Sequence, residues 1–163
     1  MKRFNQCFQY AAVLLLTCLV AVRGVAAAQS ASDVAIVVHP DVPIANLSLA
    51  DLRKIFMGDR QFWTPNLRIT LLVRSPVARE RDVVLKTIYQ MSDAQFRQYW
   101  IGKVFRAEAA SGPKIVYSNE MAGDLVAGIP GSIAFVDAAQ VPKNVKVIKV
   151  NNLLPGEKAY PLH

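Results

Sequence analysis

Three stretches of this chain are almost unbroken apolar runs: Val34-Ala35-Ile36-Val37-Val38, Ile69-Thr70-Leu71-Leu72-Val73 and Ser132-Ile133-Ala134-Phe135-Val136. A strand with one wet face alternates apolar and polar residues. Runs without that alternation predict strands covered on both faces, as in a parallel sheet. Segments of helical period lie between them. Together they predict a single α/β domain of three layers, with a mainly parallel or mixed sheet.

The helices carry their own punctuation. Ser48 is placed to cap a helix with Asp51 as reciprocal partner, Leu47 and Leu52 sit at staple spacing, and Gly58 ends it. Leu49, Leu52, Ile55 and Phe56 form its apolar face. Residues 59–66 read as a loop that lays Phe62 and Trp63 against the body. The helix after the second run is predicted to turn Val77, Val84, Ile88 and Met91 inward. Another starts at Ser92, with Gln95 as capping partner and Met91 and Phe96 as staple. Ile115-Val116-Tyr117 reads as a short strand, and a fourth helix over about residues 120–127 opens at Ser118 or Asn119. Residues 145–150 alternate apolar and basic, as one edge strand would. The core is expected over residues 34–150, and no pattern shows whether the remainder packs.

The first 28 residues have a different character. Lys2 and Arg3 precede an apolar stretch densest over residues 11–22, and Val25-Ala26-Ala27-Ala28 supplies a small-residue site. This is the pattern of a cleavable signal peptide, with cleavage near Ala28 and a periplasmic or secreted product. A membrane anchor fits less well, because the stretch is shorter than a span needs and Arg23 interrupts it. Leu15-Leu16-Thr17-Cys18 resembles a lipobox, but Thr is poor before the modified Cys. Both cysteines lie in this segment, so residues 29–163 have none and disulfides play no part in their fold. Removing three of the 19 basic residues and none of the 12 acidic ones lowers the formal net charge from +7 to +4. That balance suits a small anion or an acidic surface, and nucleic acid is not expected. No stable membrane span is expected after cleavage.

Catalytic patterns are sparse. A Ser-His-Asp assembly would need His39, beside Asp41, with Ser75 or Ser118 as nucleophile, and neither serine lies in a G-x-S-x-G elbow. Zinc, EF-hand, phosphate-loop and dinucleotide spacings are missing. The expectation is a chain that is not an enzyme, with no metal or cofactor.

One tract has a definite physical meaning. Arg74-Ser75-Pro76 joins a buried run to a helix. Ser75 before proline suits the N-cap, with Pro76 at the first helical position. The amides of Val77 and Ala78 would then point outward at the positive end of the helix, with Arg74, Ser75 and Arg79 around them. That arrangement favours phosphate, sulfate or a carboxylate. Ser75 serving only as an ordinary cap is the alternative.

The tract Asn46-Leu47-Ser48-Leu49-Ala50-Asp51-Leu52-Arg53-Lys54-Ile55-Phe56-Met57-Gly58, followed by Phe62-Trp63, resembles a segment of the phosphate-type periplasmic substrate-binding proteins. Ile69 to Ser75 agrees with the family in order, and Ile129-Pro130-Gly131-Ser132-Ile133-Ala134-Phe135-Val136 is similar to its P-G-A-I-G-Y-V stretch. The resemblance implies one lobe of a type II periplasmic binding fold that holds an oxyanion such as phosphate for ABC-type uptake. It also implies that Arg74 stands for the family's phosphate-binding arginine. Counted without a gap, the Ser-Gly-Thr group falls on Ala78, Arg79 and Glu80; a shift lets Ser75 stand for the serine, with the Gly and Thr absent. The alternative is a lobe without a small ligand that docks on an envelope protein or on a second copy of itself.

Overall fold

A computed structural model describes residues 32–163; the expected signal peptide, with its expected cleavage near Ala28, lies outside the described residues. Strand β1 (Val34–Val38) is inaccessible to solvent at all five residues, as its unbroken apolar run predicts. It lies in a five-stranded mixed sheet with β5 (Thr70–Arg74), β6 (Lys114–Val116), β7 (Ser132–Asp137) and β8 (Lys146–Val147), in the order β6-β5-β7-β1-β8. β5 runs parallel to both β6 and β7, whereas β1 is antiparallel to both β7 and β8. Lack of alternation reports cover on both faces and says nothing about strand direction, which is why β1 does not follow the parallel expectation.

Successive side chains on a strand leave by opposite faces. Val34, Ile36, Val38, Ile133, Phe135 and Val73 therefore enter the larger core cluster, while Ala35, Val37, Ala134, Val136 and Leu72 enter a smaller one. The larger cluster takes in α1 (Leu49–Phe56), α2 (Arg79–Val84) with the π-helical turn Leu85–Tyr89 that continues it, and α3 (Asp93–Phe105). Its centre is aromatic: Tyr89 meets Phe56 and Phe96 edge-on, with ring centroids 5.9 and 4.9 Å apart. The smaller cluster is covered by α4 (Asn119–Gly128). The caps at Ser48 and Ser92 form as expected. The Asp51 amide donates to Ser48 Oγ at 3.0 Å, and Ser92 with Gln95 completes a capping box. Ser118 caps α4 by accepting from the Met121 amide.

Three expectations need correction. Residues 59–66 are not a simple loop, because β3 (Phe62–Thr64) and β4 (Leu67–Arg68) pair as a hairpin. Trp63 is buried and donates from Nε1 to the Gly131 carbonyl at 2.8 Å, while Phe62 is exposed. The basic-apolar stretch does not form one edge strand. It breaks at buried Ile148, with β8 pairing to β1 and β9 (Lys149–Val150) pairing to β2 (Asn46–Leu47). The core also extends beyond Val150. Tyr160 and Leu162 are buried in it; Leu162 accepts from the Val34 amide at 2.8 Å, and Tyr160 Oη donates to the Val34 carbonyl at 2.8 Å. Asn151 and Asn152, both at positive φ, clasp this tail to the start of α1. Asn151 Oδ1 accepts from the Leu49 amide, and Asn46 exchanges hydrogen bonds with Asn152.

Two tests follow from this packing. Gly131 sits at φ +74°, and a Cβ there would meet the Arg68 carbonyl oxygen at 2.2 Å. Gly131→Ala should therefore lower stability by about 2 kcal/mol or more in chemical denaturation. Burial raises the pKa of the Tyr160 hydroxyl above its ordinary value of 10.0, with the Asp33 charge adding to it, and burial raises that of Tyr89 too. Below pH 10 both states keep these hydroxyls neutral, so the stability is complete there. Above it only the unfolded chain ionises, and stability should fall as pH rises. Tyr160→Phe should flatten that alkaline fall, while costing about 1 kcal/mol at neutral pH through the lost bond to Val34.

Candidate functional site

The residues picked out around the second run meet at the carboxyl end of β5, but not in the predicted geometry. The Ser75 amide donates to the Val116 carbonyl at 2.9 Å, which ties this end of β5 to β6. The Ala78 amide then donates back to the Ser75 carbonyl at 3.0 Å, closing a tight turn across Pro76 and Val77. Helix α2 begins only at Arg79, with Ala78 as N-cap and no side-chain cap bond. Ser75 is thus not the N-cap, and Pro76 is not the first helical residue. Ser-Pro serves equally as the start of a β-turn, where proline's fixed φ suits the second position, and here the turn prevails. It also places Val77 outside, 95% exposed, rather than on the inner face.

Each predicted site residue therefore has a different standing. Ser75 is buried against β6, the amide of Ala78 is engaged within the turn, and Val77 projects into solvent. Arg79 reaches away to the backbone carbonyl of Ser32. Arg74 alone stays at the centre. It is 8% exposed, and its Nε and Nη1 are buried without a protein acceptor. Glu80, 7% exposed, brings Oε2 to 3.9 Å from Arg74 Nε. That is close enough for charge compensation and too far for a hydrogen bond. Glu120, in the first turn of α4, is held below the usual carboxylate range chiefly by hydrogen bonds from its own amide and Ser118, and the Arg74 charge adds to this.

Arg81 makes the corner rigid. It is almost fully buried, donates from Nη1 to the Arg74 carbonyl at 2.8 Å, and donates from Nε and Nη2 to Asp93 Oδ1 at 3.0 and 2.7 Å. Its guanidinium carbon lies 4.7 Å from the centre of the Phe96 ring. Burial lowers the Arg81 pKa, and the nearby Tyr89 and Asp82 work against that shift. Glu80 and Arg81 lie in the alternating charge run Arg79-Glu80-Arg81-Asp82, which by itself reads as a solvated face. A signal for Arg81 was present, because Arg81, Val84, Leu85 and Ile88 follow the helical stripe and all four are buried.

The other candidates have structural occupations. His39 Nδ1 accepts from the Asp41 amide at 3.1 Å, and Ser118 Oγ is engaged as a helix cap. Among the described residues no group of three or more His, Cys, Asp or Glu side chains converges as a metal site would require. No helix among them is long and apolar enough to cross a membrane. What remains at the corner is a buried, rigidly backed guanidinium with two covered donors that have no acceptor in the protein. Any acceptor arriving there must share the space with Glu80.

No family model and no curated protein matches this chain. Solved structures do match. A PstS from Borrelia burgdorferi superposes with a TM-score of 0.62 at 16% identity, covering 80% of this chain and 54% of its own. An ABC-type phosphate transport receptor from Vibrio cholerae gives 0.61 at 21% identity, covering 76% and 48%. A protein assigned as a phosphate ABC transporter substrate-binding protein from Clostridium perfringens, solved with bound phosphate, gives 0.60 at 17%, covering 75% and 46%. This chain spans about half the length of the proteins it matches. Identities this low establish the fold alone: an α/β domain with a mixed sheet, resembling one lobe of a phosphate-binding protein.

Proposed function

We propose that this chain is an envelope protein of the substrate-binding type that holds a small oxyanion such as phosphate at the Arg74 corner, in the service of an ABC-type uptake system. The observation that carries the reading is Arg74 itself. A buried donor without a partner costs about 1–3 kcal/mol, so native proteins rarely leave two on one side chain unexplained. Oxyanion oxygens reaching this guanidinium would offset that cost; Nε and Nη1 lie on different edges of its plane, so they take separate acceptor oxygens and not one bidentate pair. The fold likeness to phosphate receptors, the signal-like N-terminus and the basic balance agree with it. The chain's own Glu80 weakens anion affinity without supplying the missing hydrogen bonds.

A second reading has its own support. Val77, Tyr117 and Met121 are exposed apolar side chains on the segments that surround the corner. With Glu80 already offsetting the Arg74 charge, this face suits an accessory module that docks on an envelope protein or on a second copy.

Thermal melts distinguish the two. A ligand that binds only the folded state stabilises it by about 2.7 kcal/mol at a hundred times its Kd. Millimolar phosphate should therefore raise the Tm of the purified protein by several degrees. Arg74→Lys, which keeps the charge and removes the fork, should abolish the shift. Glu80→Gln should enlarge it, because the competing carboxylate is gone. If phosphate and sulfate leave both the wild type and Glu80→Gln unmoved, the oxyanion reading fails; concentration-dependent self-association would then favour docking.

A further inference from the structure

A cavity of about 210 Å³ opens at the opposite end of the sheet from Arg74, where β5 and β6 begin. Ile55, Leu71 and Trp100 contribute apolar surface to it, and Arg60, Arg68 and Lys114 bring three positive charges. No Asp or Glu lines it. None of the three cations forms an ion pair with any carboxylate among the described residues, although Lys54, Arg74, Arg81, Arg97, Lys103 and Arg106 all do. Three cationic residues with no acidic neighbour along the wall of one concave, partly apolar space make it favourable for an anion.

The supports of these cations are rigid. Arg60 and Arg68 come from the β3–β4 hairpin and its approach, and their guanidinium carbons lie 5.7 Å from the Trp63 ring centre and 5.8 Å from that of Phe62. The Trp63 bond to the Gly131 carbonyl anchors the hairpin to the turn before β7, where the Arg68 backbone packs too closely on Gly131 to admit a Cβ. Gln61 Nε2 donates to the Glu108 carbonyl at 2.9 Å, joining the hairpin to the end of the loop that forms the other wall. A site held this way needs little ordering when a ligand arrives.

We propose that this cavity is a binding site for an organic anion, in which a carboxylate, sulfonate or phosphate monoester head is held by Arg60, Arg68 and Lys114 and a ring or branched chain lies against Trp100. The volume exceeds the roughly 150 Å³ of an engineered protein cavity that admits benzene. The site is separate from the Arg74 corner, since the length of β5 puts about 13 Å of backbone between the two.

Phenyl phosphate, titrated into the purified protein while tryptophan emission is followed, tests the proposal. Saturable binding is expected with phenyl phosphate, and none with phenol, which lacks the charge. Inorganic phosphate, which lacks the ring, should bind at this site at least about tenfold more weakly. The exposed pair Arg68→Gln and Lys114→Gln, combined, should weaken phenyl phosphate binding by about tenfold or more. Arg74→Lys should leave it unchanged, so this site and the oxyanion corner can fail independently. Absence of saturation overturns the proposal. So does equal affinity in the double variant, affinity for inorganic phosphate that matches phenyl phosphate, or loss of binding in Arg74→Lys.

Discussion

Strand β1 has no residue in contact with water, so both faces and both edges must be covered by other parts of the chain. One edge is a regular antiparallel ladder with β7. The other is assembled from three separate pieces: β8 at Val37 and Val38, the Ile148 amide on the Ile36 carbonyl, and the Tyr160–Leu162 tail at Val34. A buried backbone group left without a partner costs about as much as a lost hydrogen bond. That requirement accounts for the break in the C-terminal strand and for the path of the last residues.

The Arg74 corner shows the opposite balance. Arg81 is fully engaged by a carbonyl, a carboxylate and an aromatic face, whereas Arg74 beside it has a carboxylate for company and no hydrogen bond for two of its nitrogens. The first arginine explains how the second is held still. A buried pair whose geometry does not satisfy its donors is a weak source of stability, because desolvation opposes the attraction. The contrast marks Arg74, and not the turn amides, as the group on which the proposed oxyanion site rests.

Much of the fold was legible in the sequence where a local pattern has one physical meaning. Unbroken apolar runs meant strands covered on both faces, and the serines at 48 and 92 with their partners three residues on meant helix starts. Legibility ended where one pattern has two meanings. Ser75-Pro76 opens a helix or a turn with equal ease, and here the Ala78 amide closes the turn onto the Ser75 carbonyl. The alternation through residues 145–150 is the same for one strand as for two that meet at Ile148, and the choice depends on neighbours far along the chain. Glu80 looked like part of a solvated charge run, because its burial depends on Arg74 coming close in space.

The clasp at Asn151 and Asn152 and the tail beyond it have a consequence for assembly. Tyr160 and Val34 are bonded across a separation of 126 residues, and Asn46 and Asn152 across 106. Closing loops this long costs more entropy than closing short ones, and contacts of this kind slow folding. The first strand of this domain is complete only with the last residues in place, and without the tail from Tyr160 onward the Val34 backbone would lose both of its partners there.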